Sequence, residues 1–470
     1  MYRPVSLSLS FLTVLLTTGC GNFSTGMGDL GATPGGSQDI GYARQVIESG
    51  DVPREGDFTI GGLLNEHDLP IEGAEPCDEI LCVYGSTGVG RVVVEDEQSL
   101  FVQIGYDTNL SEATFERDPL NLAIVVDISG SMTEVLDDVK VALHSLLDQL
   151  EPTDRLAIVT YGSNAQVLLP STLAEDTDHI ARKIDKLSSG GSTAMEAGIE
   201  KGFEVLRPHL EDGVASRMML FTDVQPNVGA TEASDFEQVV GEASDEGMGL
   251  TLFGIGYSFG YGLALDISEL PGGNFYYLAA QEDVEEVFDE DFDYMVTPLA
   301  YDLEISLDSP MDFIEAYNIQ GTEEAEHTLT ARVATIFLSR DSGATVVRLD
   351  LPEQMQVALG ASVADLRLSY VDRDGHRVDQ QVEVQHGNSA GGLDGDAFAQ
   401  VGTRKSAALV NMGLGMQELC AAFYEGDVEL AADAFFEVRD RLEAEAINLE
   451  NEELMVEVNL LDQLAVNAGL

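Results

Sequence analysis

Tryptophan is missing from this chain of 470 residues, and lysine occurs five times. Lysine and arginine together number 23 against 84 aspartates and glutamates, a formal net charge of −61. A chain so poor in positive charge lacks the basic face that nucleic acid requires and the basic patch that anionic lipid attracts. Beyond the N-terminus no run approaches the roughly 20 apolar residues of a membrane-spanning helix. Gly-x-Ser-x-Gly, His-Glu-x-x-His and a Walker lysine loop are all missing, and with them the common signatures of hydrolytic and nucleotide chemistry. The seven histidines (67, 144, 179, 209, 327, 376, 386) are scattered. What is present is ample apolar material, 44% of residues, enough for folded cores in about two to four domains. The chain reads as acidic, multidomain and non-enzymatic.

The first residues do not read as part of the fold. Met1-Tyr2-Arg3 brings a positive charge, an apolar run covers 5–16, and Thr17-Thr18-Gly19-Cys20 closes it. This pattern over 1–19 is that of a secretory signal. Its end resembles the lipobox of bacterial lipoproteins, with Thr17 where that family usually has leucine. The resemblance implies a diacylated Cys20 at the mature N-terminus, and Gly21 after it implies the outer membrane of a Gram-negative envelope. Ordinary cleavage nearby, with Cys20 incidental, is the alternative. Residues 20–38 are rich in Gly, Ser and Thr and read as a flexible tether, on which two acyl chains would give stable anchoring.

Cys77 and Cys82 have four residues between them, in a compartment that permits disulfides. A bridge there is worth about 2 kcal/mol at best. Zinc is the rival reading, without a second cysteine pair or histidine cluster to complete it. Cys420 lies in a helical pattern and reads as a buried apolar residue.

Residues 39–119 carry one helical stretch (42–50) and three strand patterns (80–84, 91–94, 100–106), with Gly88-Val89-Gly90 read as a turn between the first two. From 120 to 300 buried strands alternate with helical periodicity, ending in an acidic helix over 281–296. That alternation predicts an α/β fold with a doubly wound, mostly parallel sheet. Residues 301–390 return to strands and predict a β-sandwich-like region. Asp372-Arg373-Asp374-Gly375 reads there as a hairpin turn, since a calcium loop would need further ligands. A linker over 388–396 precedes a helical segment, 397–470, with about three amphipathic helices.

Doubly wound sheets place their sites at the carboxyl ends of strands. Asp127-Ile128-Ser129-Gly130-Ser131 ends the first buried strand, Gly190-Gly191-Ser192-Thr193 forms a loop beyond a helix, and the strand over 218–222 runs into Asp223. Hydroxyl and carboxylate oxygens from three distant segments thus converge on one sheet edge. Hard oxygen donors of this kind suit Mg²⁺, with Mn²⁺ or Ca²⁺ as alternatives. Singly, each residue has an ordinary role, such as capping a helix.

The motifs at 127–132, 190–193 and 221–223 together resemble the von Willebrand factor A domain with its metal-ion-dependent adhesion site, over about 118–300. The resemblance implies that Ser129 and Ser131 bind the metal directly, that Thr193 joins them in the ligand-competent state, and that Asp127 and Asp223 act through water. It leaves one coordination position for an Asp or Glu of a protein partner. Val224 stands where many such domains have glycine, which bears on the geometry of that loop. Tyr42-Ala43-Arg44-Gln45 with Gly50 and Pro53, the stretch 161–165 and Pro226-Asn227-Val228-Gly229 are similar to a group of bacterial lipoproteins with this domain. The reading implied is a lipid-anchored cell-envelope protein that touches membrane only through its N-terminus and binds no nucleic acid. A structural envelope protein stiffened by metal, and an accessory subunit of an ATP-driven chelatase-like complex, are the alternatives.

Overall fold

The strand Leu120–Asp127 is the axis of the molecule, and every residue of it is buried. Leu120, Leu122, Ile124 and Val126 enter one apolar cluster, whereas Ala123 and Val125 enter another on the opposite face. That division comes from the two-residue period of a strand covered on both sides. The computed structural model describes residues 30–72, 77–226, 233–256, 259–325, 327–351, 357–373 and 375–470. The signal segment, Cys20 and the first part of the tether lie outside the described residues, as do residues 227–229.

Seven strands form the sheet around this axis, in the order Gly36–Ser37, Gly273–Tyr277, Met248–Gly254, Ala215–Thr222, Leu120–Asp127, Arg155–Tyr161 and Ala165–Leu173. All pairings are parallel except the last, which is antiparallel. Helix Leu136–Gln149 lays Val139, Leu143 and Leu146 on one face. Helix Met195–Leu206 lays Ile199 and Phe203 on the other. The expected doubly wound domain is present, and its sheet is mixed.

A second, eleven-stranded sheet flanks it. Strands Cys82–Val92 and Glu97–Asp107 belong to it together with Pro298–Asp308, Thr328–Ser339, Ala344–Asp350, Ser362–Asp372 and Arg377–Gln385. The N-terminal strands and the sandwich-like region are therefore one sheet, which curls on itself. Gln380 Nε2 donates to the Leu81 carbonyl at 3.0 Å and Thr87 Oγ1 to the Gln385 carbonyl at 3.2 Å. Helices Val401–Glu425, Val428–Asn448 and Glu452–Ala468 pack beside it with the short helices Gly41–Glu48 and Ile60–Asn65. Cys420 is buried in that cluster, its thiol pushed up to about 12 by burial.

Three expectations need correction. Residues 30–38 are not tether: Gly31–Pro34 pairs with Thr328–Ser339 in the large sheet, and Gly36–Ser37 pairs with Gly273–Tyr277 in the other. Composition shows no apolar period there because the segment is held by backbone pairing, inside the large sheet at Gly31–Pro34 and at the edge of the other at Gly36–Ser37, and Gly35 lets it pass close to the Gly273 carbonyl. Gly88-Val89-Gly90 is not a turn, since one strand runs unbroken over Cys82–Val92. Its glycines make room for the Phe398 ring, which a Cβ on Gly88 would meet at 1.9 Å. The acidic helix over 281–296 is broken into Gln281–Glu285, a π turn at Glu286–Glu290, and Phe292–Met295. Cys77 and Cys82 are joined as a disulfide, with Cα atoms 5.8 Å apart.

Candidate metal centre

Asp127 ends the axial strand, and the chain leaves it in a tight turn rather than a helix. The Ser129 amide donates to Asp127 Oδ1 at 2.8 Å, an Asx-type bond that turns the chain back on itself. Ser131–Thr133 then forms a short 3₁₀ turn before helix Leu136–Gln149 begins. The Ser129 and Ser131 hydroxyls come within 3.0 Å of each other. Ser129 is buried, and Ser131 is exposed.

The loop carrying Thr193 is strapped to this turn by backbone. Gly190 N–H donates to the Ile128 carbonyl at 2.6 Å, and Gly130 N–H donates to the Gly191 carbonyl at 3.2 Å. Gly190 and Gly191 adopt φ of 148° and 110°, a region that glycine enters without steric cost. Ala194 N–H is tied to the Gly162 carbonyl at 2.8 Å. Thr193, between these anchors, is buried.

Asp223 arrives from the neighbouring strand Ala215–Thr222. Thr222 Oγ1 donates to Asp127 Oδ2 at 3.1 Å and accepts the Val224 amide at 2.9 Å. Val224 has φ of 49°, a left-handed conformation rare for a β-branched side chain. The position where related domains often carry glycine thus keeps the glycine-like backbone with a valine on it. Asp127, Ser129, Ser131, Thr193 and Asp223 accordingly stand on turns fastened to one another at the carboxyl edge of the sheet.

The electrostatics of this edge ask for a cation. Burial pushes the Asp127 carboxyl up to about 6, with the Asp223 charge adding to the effect and hydrogen bonds from Ser129 and Thr222 opposing it. Burial also raises Asp223, with hydrogen bonds from Ser131 and from the backbone of Asp223 and Gln225 opposing it; its Oδ1 is buried with no hydrogen-bond partner among the described residues. Two buried carboxylates beside the Ser129 and Ser131 hydroxyls, with Thr193 on the adjoining loop, form an all-oxygen donor set, which fits a hard divalent cation. Tyr161 closes the interior side, its phenol kept well above its ordinary range by burial and the Asp127 charge.

Thr222 and Tyr161 lie within stretches that carry the resemblance, 221–223 and 161–165, but neither is singled out there as a site residue; the structure gives Thr222 its role through the bond to Asp127. A second cluster had no local signal at all: Glu66, His67 and Glu457 converge from opposite ends of the chain. Arg44 Nη2 reaches both carboxylates, pairing with Glu66 and lying 2.6 Å from Glu457 Oε1. A guanidinium already sits where an ion would, so this cluster is an ion-pair network.

Residues 121–290 match the model of the von Willebrand factor type A domain. The uncharacterized protein YfbK of Escherichia coli (strain K12) is 28% identical over 209 residues, covering 44% of this chain and 36% of that protein. The uncharacterized protein sll0103 of Synechocystis is 34% identical over 133 residues, 26% of this chain and 31% of the relative. Mouse inter-alpha-trypsin inhibitor heavy chain H2 is 23% identical over 190 residues, 38% of this chain and 20% of the relative. The chain therefore spans about a third or less of these relatives. Among solved structures, a von Willebrand factor type A protein from Catenulispora acidiphila aligns with a TM-score of 0.51 at 15% identity, covering 80% of this chain and 88% of that one. That likeness concerns fold alone. The chain carries a von Willebrand factor type A domain over residues 121–290.

Proposed function

We propose that this von Willebrand factor type A domain captures a protein partner through a divalent metal, Mg²⁺ first, held by Ser129, Ser131, Thr193, Asp127 and Asp223. The observation that carries the reading is Asp223 Oδ1, buried and without a hydrogen-bond partner among the described residues, beside Asp127. Leaving such an oxygen unmet is costly, and a cation is the partner that suits both carboxylates. When bound, the metal supplies an electrophilic position that an Asp or Glu of the partner would complete. Ser129, Ser131 and Thr193 contribute no formal charge, so the ion keeps its attraction for that carboxylate.

The protein's own residues do the positioning. Thr222 and the Ser129 amide hold the two Asp127 oxygens, and the Gly190–Gly191 strap fixes the loop that bears Thr193. The net charge of −61 opposes an acidic ligand at long range. Screening over about 8 Å at physiological salt and the bound ion's own charge reverse that locally. The same reading places the chain on the cell envelope of a Gram-negative bacterium, anchored at the outer membrane by acylated Cys20. Its support is the charged-then-apolar start that closes on Thr17-Thr18-Gly19-Cys20. Among the described residues no helix is long and apolar enough to cross a membrane.

Calorimetric titration of Mg²⁺ and Mn²⁺ into the protein, beside an Asp127→Ala/Ser129→Ala variant, tests the site. Saturable binding in the wild type alone is expected. Equal heats from both proteins would sink the reading, as would metal-independent capture of an acidic peptide.

A further inference from the structure

At the opposite edge of the same sheet stands a buried positive charge with no acid to meet it. Arg217, near the start of strand Ala215–Thr222, is 3% exposed. The other buried cations among the described residues are paired: Arg348 with Glu95 at 2.8 Å, Arg404 with Glu445 at 2.7 Å, Lys405 with Glu453 at 2.6 Å. In a chain where carboxylates outnumber basic groups 84 to 23, Arg217 has no carboxylate within ion-pair reach among the described residues. Its Nη1 donates to Thr251 Oγ1 at 3.0 Å, and to the Gly272 carbonyl and Asn274 Oδ1 at 3.3 Å each. Nε and Nη2 donate to nothing among the described residues.

The surroundings are shaped for this group. The guanidinium lies over the Phe337 ring, 4.8 Å from its centroid. A Cβ at position 249 would fall 2.6 Å from Arg217 Nη2, so Gly249 makes the space. Arg217 lines a cleft of about 1100 Å³ between the two sheets, together with Tyr301 and Arg373. Burial raises the Tyr301 phenol, with Arg217 and Arg373 acting to lower it and Asp118 to raise it. Arg373 pairs with Asp118 at the wall, and Glu211, Asp212, Asp245 and Asp302 line the rest.

Buried charges are stable when paired, and an arginine fork pairs best with a planar carboxylate or a phosphate. We propose that this cleft binds a small zwitterion whose carboxylate is held by Arg217 and the Tyr301 hydroxyl and whose cationic end faces the acidic lining. The acidic lining selects a monoanion over a phosphate dianion, which it would repel more strongly. It also gives the opposite, cationic end of the ligand something to meet. The site lies at the edge away from Asp127 and Asp223 and does not depend on the metal reading.

Arginine serves as the probe. Titrated into the full chain by calorimetry, it should bind saturably with a Kd of about 1 mM or tighter. Agmatine, which keeps the guanidinium and lacks the carboxylate, and acetate, which lacks the cation, should each bind about tenfold more weakly or worse. Arg217→Met and Tyr301→Phe should each weaken arginine by about tenfold while the Mg²⁺ titration stays as in the wild type. Where Arg217→Met does not fold, Tyr301→Phe decides. No saturable arginine binding, agmatine binding as well as arginine, or unchanged affinity in a folded Arg217→Met or in Tyr301→Phe would each overturn the proposal. Inorganic phosphate binding more tightly than arginine would overturn it too.

Discussion

Thr222 donates its hydroxyl to Asp127 Oδ2 at 3.1 Å, from one strand of the central sheet to the end of the next. The hydroxyl oxygen also accepts the Val224 amide, so one threonine side chain fixes both the carboxylate and the backbone beyond Asp223. Neither bond involves a metal. The position of the Asp127 carboxylate is thus set by the protein itself.

Thr222→Val removes the hydroxyl with little change of shape. It should cost about 1 kcal/mol of stability for the lost hydrogen bonding and weaken Mg²⁺ binding about tenfold. Thr222→Ser should restore most of the metal affinity. Calorimetry on the two variants checks this, and a Thr222→Val protein with wild-type affinity would show that Asp127 does not need the pin.

Val224 supplies a backbone prediction. It is buried in the apolar cluster behind the site, yet its φ is 49°. Val224→Ala loses buried methyl groups while keeping the unfavourable conformation, at about 1–2 kcal/mol. Val224→Gly loses the same contacts but adopts that conformation freely. The glycine variant should therefore be the more stable of the two by about 1 kcal/mol, inverting the usual order of the residues. Urea unfolding ranks them, and an alanine variant above the glycine variant would contradict the strain.

His67 links stability to pH. Burial lowers its proton affinity, but the carboxylates of Glu453 and Glu457, 3.5 and 3.3 Å from its ring nitrogens, outweigh burial and leave it raised above the ordinary 6.5. Lys405 faces the same group and lowers it. His67 and Lys405 in turn pull the Glu453 carboxyl down to about 2. A folded-state value above the unfolded one means that the native protein binds the extra proton. The stabilisation is complete below about pH 6.5 and fades as pH rises through the higher folded value. Urea midpoints should fall between about pH 6 and pH 8.5 by more in the wild type than in His67→Gln. Parallel curves for the two proteins would mean that His67 stays neutral in the fold.

Local patterns carried a large part of this molecule. The largely apolar run at 120–126 has the signature of a strand buried on both faces, and it is one. The helical spacing of Val139, Leu143 and Leu146 likewise corresponds to helix Leu136–Gln149. Asp127, Ser129, Ser131, Thr193 and Asp223 were legible for a related reason: strand ends in a parallel sheet share one edge, so three motifs separated in sequence are neighbours in space.

Tertiary structure decided what rests on pairing between distant segments. Gly31–Ser37 has no apolar rhythm, since backbone hydrogen bonds to Thr328–Ser339 and Gly273–Tyr277 are what hold it. Gly88 and Gly90 look like turn residues, and only the Phe398 ring explains glycine inside a strand. Arg44 meets Glu457 across 413 positions, and Arg217 is left without an acid because of which two sheets face each other across its cleft. The sequence by itself determined the buried strands and amphipathic helices around Asp127, because these arise from the chemistry of neighbours. Which sheet edges join and which buried charges find partners was decided only by the tertiary structure, because those energies belong to surfaces that no local stretch of chain contains.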